Sequence, residues 1–350
     1  MMSTAFIIEG EFMAFKKEIV IPIAGIVLAI AGMTAAGVAL SKMIGREPVQ
    51  SAAVTTYTPR KQEAPSMTDG EKKLQLKKDM DIILVMGIDE AEHIGEADTY
   101  VNYSQADVLY VYAIDHKNKT YQALQINRET MTNVQSYTVD GEKFTNNQKQ
   151  ICLAHSYGKN DKERCLNQVD AVSGLIFDIP IAHYVSLDMG AIPVLNDKVG
   201  GVTVTIPAGM EKVDPAFVEG TRVRLQGKQT ELFVRSRTVL SDDTNIFRMQ
   251  RQEIFLKAWK EQAKAKMSTD SDLAVNMLLA LSNYMYSDMS VNTLSELANK
   301  LKDYKDLGTL TTTGETVEEG EGHVFREFHV DMDDLQKKVI ELFYEETPVS

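Results

Sequence analysis

From Ile19 to Ser41 the chain carries no charged residue, and its centre reads Ile-Pro-Ile-Ala-Gly-Ile-Val-Leu-Ala-Ile-Ala-Gly. This stretch constrains the rest more than any other feature. About 20 consecutive apolar residues cross the hydrocarbon layer of a bilayer as a helix. The run is longer than the apolar core of an ordinary signal peptide. It is also more uniformly uncharged than a core helix of a water-soluble domain. The expectation is one transmembrane helix over 19–41, preceded by a short segment, 1–18. Lys16, Lys17 and Glu18 precede the span and Lys42 and Arg46 follow it, so flanking charge does not fix the orientation.

From 42 to 79 the sequence is polar and irregular, with Pro48, Pro59 and Pro65. It reads as a flexible tether that lifts a folded domain off the membrane. The folded domain is expected over 80–265. Asp81–Asp89, Val108–Asp115 and Tyr121–Ile126 are near-continuous apolar runs, the pattern of strands covered on both faces. Helical patterning is read over 147–157 and 165–175, then over 248–266, where Ile254, Phe255, Ala258 and Trp259 share a face. Residues 183–187 and 202–206 read as further strands. A C-terminal extension, 266–350, contributes two more helices, an acidic glycine-containing loop at 314–322, a strand at 324–330 and a final helix at 333–344. The class is α/β or α+β, with a central sheet between helical layers.

The formal net charge of −13 argues against general nucleic-acid binding, which needs a basic face. Any anionic ligand must meet locally concentrated positive charge. Six of the eleven arginines lie between Arg222 and Arg251, and guanidinium forks match phosphate oxygens. A solvated helix face or pairing with carboxylates would explain the clustering equally well. Cys152 and Cys165 are too few for a disulfide scaffold, and one bridge or two buried thiols fit equally. The phosphate loop, the dinucleotide-binding glycine motif, the nucleophile elbow and the His-Glu-x-x-His zinc motif are all missing from the sequence.

An ordered series of short motifs is more specific. Gly87-Ile-Asp89 follows a strand; Gln105-Ala-Asp107-Val-Leu opens the next; Ile126-Asn-Arg128-Glu-Thr130 closes the third. Leu153-Ala-His-Ser-Tyr-Gly158, Asp178-Ile-Pro-Ile-Ala-His-Tyr-Val185 and Val199-Gly-Gly-Val-Thr-Val204 follow. Leu225-Gln-Gly-Lys-Gln229 leads to Phe233-Val-Arg235-Ser-Arg237 and Asn245-Ile-Phe-Arg248-Met-Gln-Arg251-Gln252. Over about residues 81–262 this series resembles the LytR-CpsA-Psr family. The resemblance implies a three-layer α/β/α domain with a central mixed sheet, an apolar pocket for a polyprenyl chain, and a single-pass anchor in the cell membrane. The N-terminus would be cytoplasmic and the C-terminal domain extracytoplasmic. It implies a phosphotransferase that moves a glycopolymer, such as teichoic acid, from a polyprenyl-pyrophosphate carrier to a peptidoglycan acceptor with Mg²⁺, and no nucleic-acid partner.

By match to those motifs, Asp89 and Asp107 would hold Mg²⁺, and Arg128, Arg235, Arg237, Arg248 and Gln252 would grip the pyrophosphate. Arg128, Asp107 and Glu129 are the catalytic candidates. Transfer of a pyrophosphate-linked group depends on charge neutralisation and positioning more than on covalent help, and Mg²⁺ commonly takes one or two carboxylates plus phosphate oxygens. On a strand, Arg235 and Arg237 would point the same way; on a helix, Arg248 and Arg251 would share a face. Glu90, Ala91 and Glu92 stand where many members carry an arginine, and Asn127 and Glu129 stand where proline and aspartate usually flank Arg128. A non-catalytic polyprenyl-phosphate-binding regulator and a lipid pyrophosphatase are the rival expectations.

Overall fold

The computed structural model describes residues 67–347, apart from 70–71, 91–96, 103, 237–244, 268, 271–272, 282, 302 and 320–324. The expected transmembrane span and Arg237 lie outside the described residues. Among the described residues no helix is long and apolar enough to cross a membrane.

Two short strands, β1 (Met67–Asp69) and β2 (Lys72–Leu76), form an antiparallel hairpin. They fall inside the stretch read as tether, so ordered structure starts earlier than its sequence pattern suggests. Then come β3 (Met80–Ile88), β4 (Ala106–Asp115) and β5 (Thr120–Ile126). Every residue of β4 is buried, as its unbroken apolar run predicts for a strand covered on both sides. A polar hairpin follows, β6 (Met131–Tyr137) and β7 (Lys143–Gln150), then a 3₁₀ turn, Ile151–Ser156. Helical patterning was expected from 147, but pairing with β6 keeps the chain extended to Gln150.

Helix α1 (Asp161–Leu175) is started by Asn160, whose side chain accepts from the Glu163 N–H at 3.0 Å; this side-chain cap satisfies one otherwise orphaned donor. Strand β8 (His183–Asp188) and helix α2 (Ala191–Lys198) follow, with a small ribbon of β9 (Thr203–Thr205) and β10 (Arg222–Arg224). Helices α3 (Lys228–Arg235), α4 (Asn245–Met267) and α5 (Leu273–Leu281) come next, then β11 (Met285–Ser287), α6 (Val291–Leu301) and β12 (Lys305–Thr311). The acidic segment read as a loop is instead β13 (Gly314–Glu319), paired with β14 (Phe325–Val330). Helix α7 (Met332–Phe343) and β15 (Tyr344–Glu346) close the chain, and β15 pairs with β2.

The central mixed sheet has six strands in the order β11-β8-β3-β4-β5-β12. Strands β3/β8 and β5/β12 run parallel; the other neighbours run antiparallel. One face packs under α2–α6 through residues such as Tyr110, Tyr112, Leu195, Phe233, Leu256 and Trp259. The other packs under α1 and α7 through Leu84, Leu109, Val169, Val172, Leu335 and Val339. This is the expected α/β/α sandwich. The 266–350 segment supplies both edge strands, β11 and β12, and is therefore built into the domain.

Candidate functional site

The site begins at an irregularity in β4. Gly87 pairs with Val108 and Ile88 with Ala106, so Asp107 is the extra residue of a β-bulge. A bulge re-aims the side chain it releases from the ladder. Gly87 lets the strands close there: a Cβ on it would stand 3.0 Å from the Val108 Cβ and 3.4 Å from the Met189 Cε.

Two guanidinium groups converge on the Asp107 carboxylate. Arg128, just after β5, donates to Oδ1; Arg248, in the first turn of α4, donates to Oδ2 at 2.8 Å. All three side chains are buried. Arg128 Nη2 also donates to the Gln105 Oε1 and to the Cys152 Sγ, the latter at 3.1 Å. Burial opposes the Arg128 charge, but the Cys152 sulfur and the Asp107 and Glu129 carboxylates outweigh it and raise its pKa above the ordinary value. The Arg128 Nε remains buried without a hydrogen-bond partner, a donor available to a ligand oxygen. Burial raises the Cys152 thiol above its usual pKa despite the neighbouring Arg128. Cys152 and Cys165 are both free and buried.

A second group lies beside the first. Asp89 follows β3 and its N–H donates to the Gln105 carbonyl at 3.0 Å, so the ends of the two aspartate-bearing strands are hydrogen-bonded together. Arg235 donates to Asp89 and to Glu231. The expectation of Arg235 on a strand does not hold. It is the last residue of α3, whose Thr230, Phe233 and Val234 bury one helical face. Arg251 donates to the Phe233 and Ser236 carbonyls and pins α4 to the end of α3; burial, with the charge of Arg248, lowers its pKa to about 10. Burial and the nearby Asp89 and Asp188 charges raise the Glu90 pKa.

Gln252, one helical turn beyond Arg248, faces an apolar slot between the end of β3, α2 and α4, lined by Gly87, Ile192, Leu195, Phe255 and Leu256, with Asp188 at its polar side. Its free volume is about 20 Å³, room for about one water. Glu129 is buried beside Arg128, and its carbonyl accepts from the Phe328 N–H of β14 at 2.9 Å.

The structure thus brings Asp107, Arg128 and Arg248 into direct contact and sets Asp89 with Arg235 at the adjoining strand end. Gln105 and Cys152, which hold Arg128, were not among the sequence candidates. Gln105 stood inside a quoted motif; Cys152 had no signal of its own. Among the described residues, no group of three or more His, Cys, Asp or Glu side chains is placed to hold a metal ion.

The LytR_cpsA_psr family model matches residues 47–341. A polyisoprenyl-teichoic acid–peptidoglycan teichoic acid transferase, TagU of Halalkalibacterium halodurans, is 26% identical over 237 residues, covering 67% of this chain and 69% of that protein. TagV of Bacillus subtilis, of the same description, is 27% identical over 208 residues; the match covers 57% of this chain and about half, 47%, of that protein. Among solved structures, B. subtilis TagV superposes with a TM-score of 0.55 at 24% identity, covering 78% of this chain and 100% of that one. TagT bound to LI-WTA gives 0.55 at 20% identity, covering 76% and 90%. At these identities the structures establish a shared fold.

Proposed function

Because the chain belongs to the LytR-CpsA-Psr family, we propose that it is a membrane-anchored, extracytoplasmic transferase that moves a glycopolymer from a polyprenyl-pyrophosphate carrier to peptidoglycan. One observation carries the reading most directly. Arg128 and Arg248, from distant parts of the chain, meet on Asp107 beside an apolar slot. That is an anion-binding centre next to an apolar lining.

In this reading the arginines orient the pyrophosphate and stabilise the charge that grows as its bond breaks. The unpartnered Arg128 Nε and the amide of Gln252 take phosphate oxygens. Arg235 extends the cationic wall. The polyprenyl tail occupies the slot once α4 and α2 part. Asp89 and Asp107 would hold Mg²⁺: both are hard oxygen donors on adjoining strand ends, and Glu90 and Asp188 add negative charge that a divalent cation would offset. Both Asp107 oxygens are taken by arginine here, so a cation bound there would share that carboxylate with the guanidinium groups. Mg²⁺ would neutralise diphosphate charge. Glu129, in electrostatic contact with Arg128, is the carboxylate assigned to take the proton of the attacking glycan hydroxyl. That oxygen forms a bond to the phosphorus nearest the sugar, and polyprenyl phosphate leaves.

The test supplies purified protein with a polyprenyl-pyrophosphate saccharide and Mg²⁺, with and without a glycan acceptor. Release of polyprenyl phosphate only with acceptor, abolished by Arg128→Ala, is expected. Release without acceptor would mean a pyrophosphatase. Tight binding without turnover would mean a regulator.

A further inference from the structure

The hairpin β6–β7 grows directly out of the arginine centre. The Cys152 N–H donates to the Arg128 carbonyl at 3.2 Å and the Ile151 N–H to the Thr130 carbonyl at 2.8 Å, so the ribbon leaves and returns at the residues that hold the guanidinium. Seven residues of β6 extend it roughly 20 Å from there.

Its two faces differ. Thr132, Val134 and Ser136 are buried, and Val134 joins the core beneath α1. Residues opposite one another in a pair share a side of the sheet. The register sets Asn133 against Gln148 and Gln135 against Asn146 on the outer side. Phe144 is skipped where the register shifts between Ser136 and Tyr137; it stands 76% exposed at the tip. Gln148 donates to Asn133 at 3.2 Å, a bond that uses neither the Asn133 amino group nor the Gln148 carbonyl, whereas Gln135 donates to the Ser136 and Thr145 carbonyls at 2.9 and 3.1 Å. The Asn146 amide has no side-chain partner among the described residues.

The outer face is therefore a row of amides ending in an aromatic ring. The charged residues of the two strands are Lys143, next to Phe144, and Lys149, which pairs with Thr132 on the inner side and donates to the Tyr157 hydroxyl at 2.9 Å; between 131 and 138 and between 144 and 148 there is none. An amide presents both donors and an acceptor, the complement of sugar hydroxyls and acetamido groups, and an exposed ring offers an apolar platform to a pyranose face. A phosphate-bearing polymer would call for arginine or lysine instead.

We propose that the outer face of β6–β7 is the subsite for the acceptor glycan, a saccharide strand held through its hydroxyl and acetamido groups, which it presents to the arginine centre. The inference rests on the transfer reading above and specifies its second substrate.

The test uses the full chain in detergent and soluble, uncrosslinked peptidoglycan glycan strands. The triple variant Phe144→Ala, Asn146→Ala, Gln148→Ala changes only exposed side chains, so its melting temperature is expected to match the parent. Direct binding of the strands should weaken about tenfold or more, since each amide hydrogen bond contributes on the order of 1 kcal/mol. In the transfer assay KM for the glycan should rise by the same factor, with KM for the lipid donor and kcat unchanged. Equal glycan binding by parent and variant, or none by either, overturns the inference. Preferential binding of a phosphate-bearing polymer to this face also overturns it. Glycan binding that depends on the ribbon in a protein that never transfers supports the subsite while removing the transfer reading. Dependence of lipid-pyrophosphate binding on Arg128 reports on the arginine centre separately.

Discussion

Arg248 donates to the Asp107 carboxylate at 2.8 Å although 141 positions separate the two residues in the chain. The contact joins the first turn of α4 to the bulge of β4, and Arg128 closes it from the other side. Two buried cations thus share one buried anion. Asp107→Ala leaves both guanidinium groups without their counter-charge, a change that typically costs about 3–5 kcal/mol. A large fall in melting temperature is expected, together with loss of transfer. Asp107→Asn keeps the shape and one acceptor but loses the charge and turns its amino group toward one of the two arginines, so it should recover only a small part of the stability and little of the activity. Thermal unfolding beside a transfer assay separates the two effects.

Arg248→Lys keeps the positive charge and removes the planar fork that reaches both Asp107 Oδ2 and, at 3.4 Å, the Asp107 carbonyl. A point charge does not replace a two-pronged donor. The rate should fall by about 10²–10³, the usual effect of losing one preorganised donor, with modest change in stability. A lysine variant of full activity would remove Arg248 from the site.

Gly87 is where fold and chemistry meet. Its missing Cβ admits Val108, the residue after the bulged Asp107, and the Val108 Cβ is too close to its own backbone to rotate aside. Gly87→Ala should cost about 1–3 kcal/mol through overpacking and move Asp107 off the arginines. Reduced kcat with a folded far-UV spectrum is the expected result, measured by stopped assays and circular dichroism.

The parts legible in the sequence were those whose pattern is local. β3 and β4 are near-continuous apolar runs, and β5 is largely apolar toward its end, because helices cover both faces of the sheet. β7 was read as helical from Asn147 because its residues are polar and wet; only pairing with β6 makes it a strand. β13 shows the same effect, since pairing with β14 is what holds that acidic backbone extended. β1 and β2 depend on β15, where Gln75 reaches Glu345, 270 positions away, and no local signal can announce such a partner. At the site, Asp107, Arg128 and Arg248 stood in motifs and do meet. Arg235 was set on the wrong element although Thr230, Phe233 and Val234 already carry helical spacing. Gln105 and Cys152 hold Arg128 without charge or periodicity to mark them.

Two histidines give opposite pH dependences. Burial, with the nearby charge of Arg164, lowers the His155 pKa to about 3, and the ring bonds the Ser104 hydroxyl at 2.9 Å. Between pH 3 and its unfolded value near 6.5 the unfolded chain binds the extra proton, so stability is lost as pH falls, with a slope approaching about 1.4 kcal/mol per pH unit. His183 is the reverse. Its hydrogen bond to Asp288, at 2.9 Å, raises its pKa. That contribution is complete below the unfolded pKa and is lost as pH rises through the folded one. Denaturant titrations should show an acid limb that His155→Gln removes and an alkaline-side decline, above about pH 6.5, that His183→Asn removes.

The slot beside Gln252 is narrow here, yet it is apolar and opens one helical turn from Arg248. If the polyprenyl tail lies there, bulk added at Ile192 must interfere with the tail and leave the pyrophosphate contacts alone. Ile192→Trp is expected to weaken binding of a long polyprenyl pyrophosphate by about 200-fold, the loss of roughly four buried carbons at about 0.8 kcal/mol each. Inorganic pyrophosphate should bind as before, because Arg128 and Arg248 are untouched. Isothermal titration with both ligands makes the comparison; the new side chain exceeds the free space of the slot, so some fall in melting temperature from overpacking is expected, and retained pyrophosphate binding is the control for an intact arginine centre. Equal weakening for both ligands would show that the substitution disturbs the arginine centre. Unchanged binding of both would place the lipid elsewhere and leave the slot a packing defect between α2 and α4.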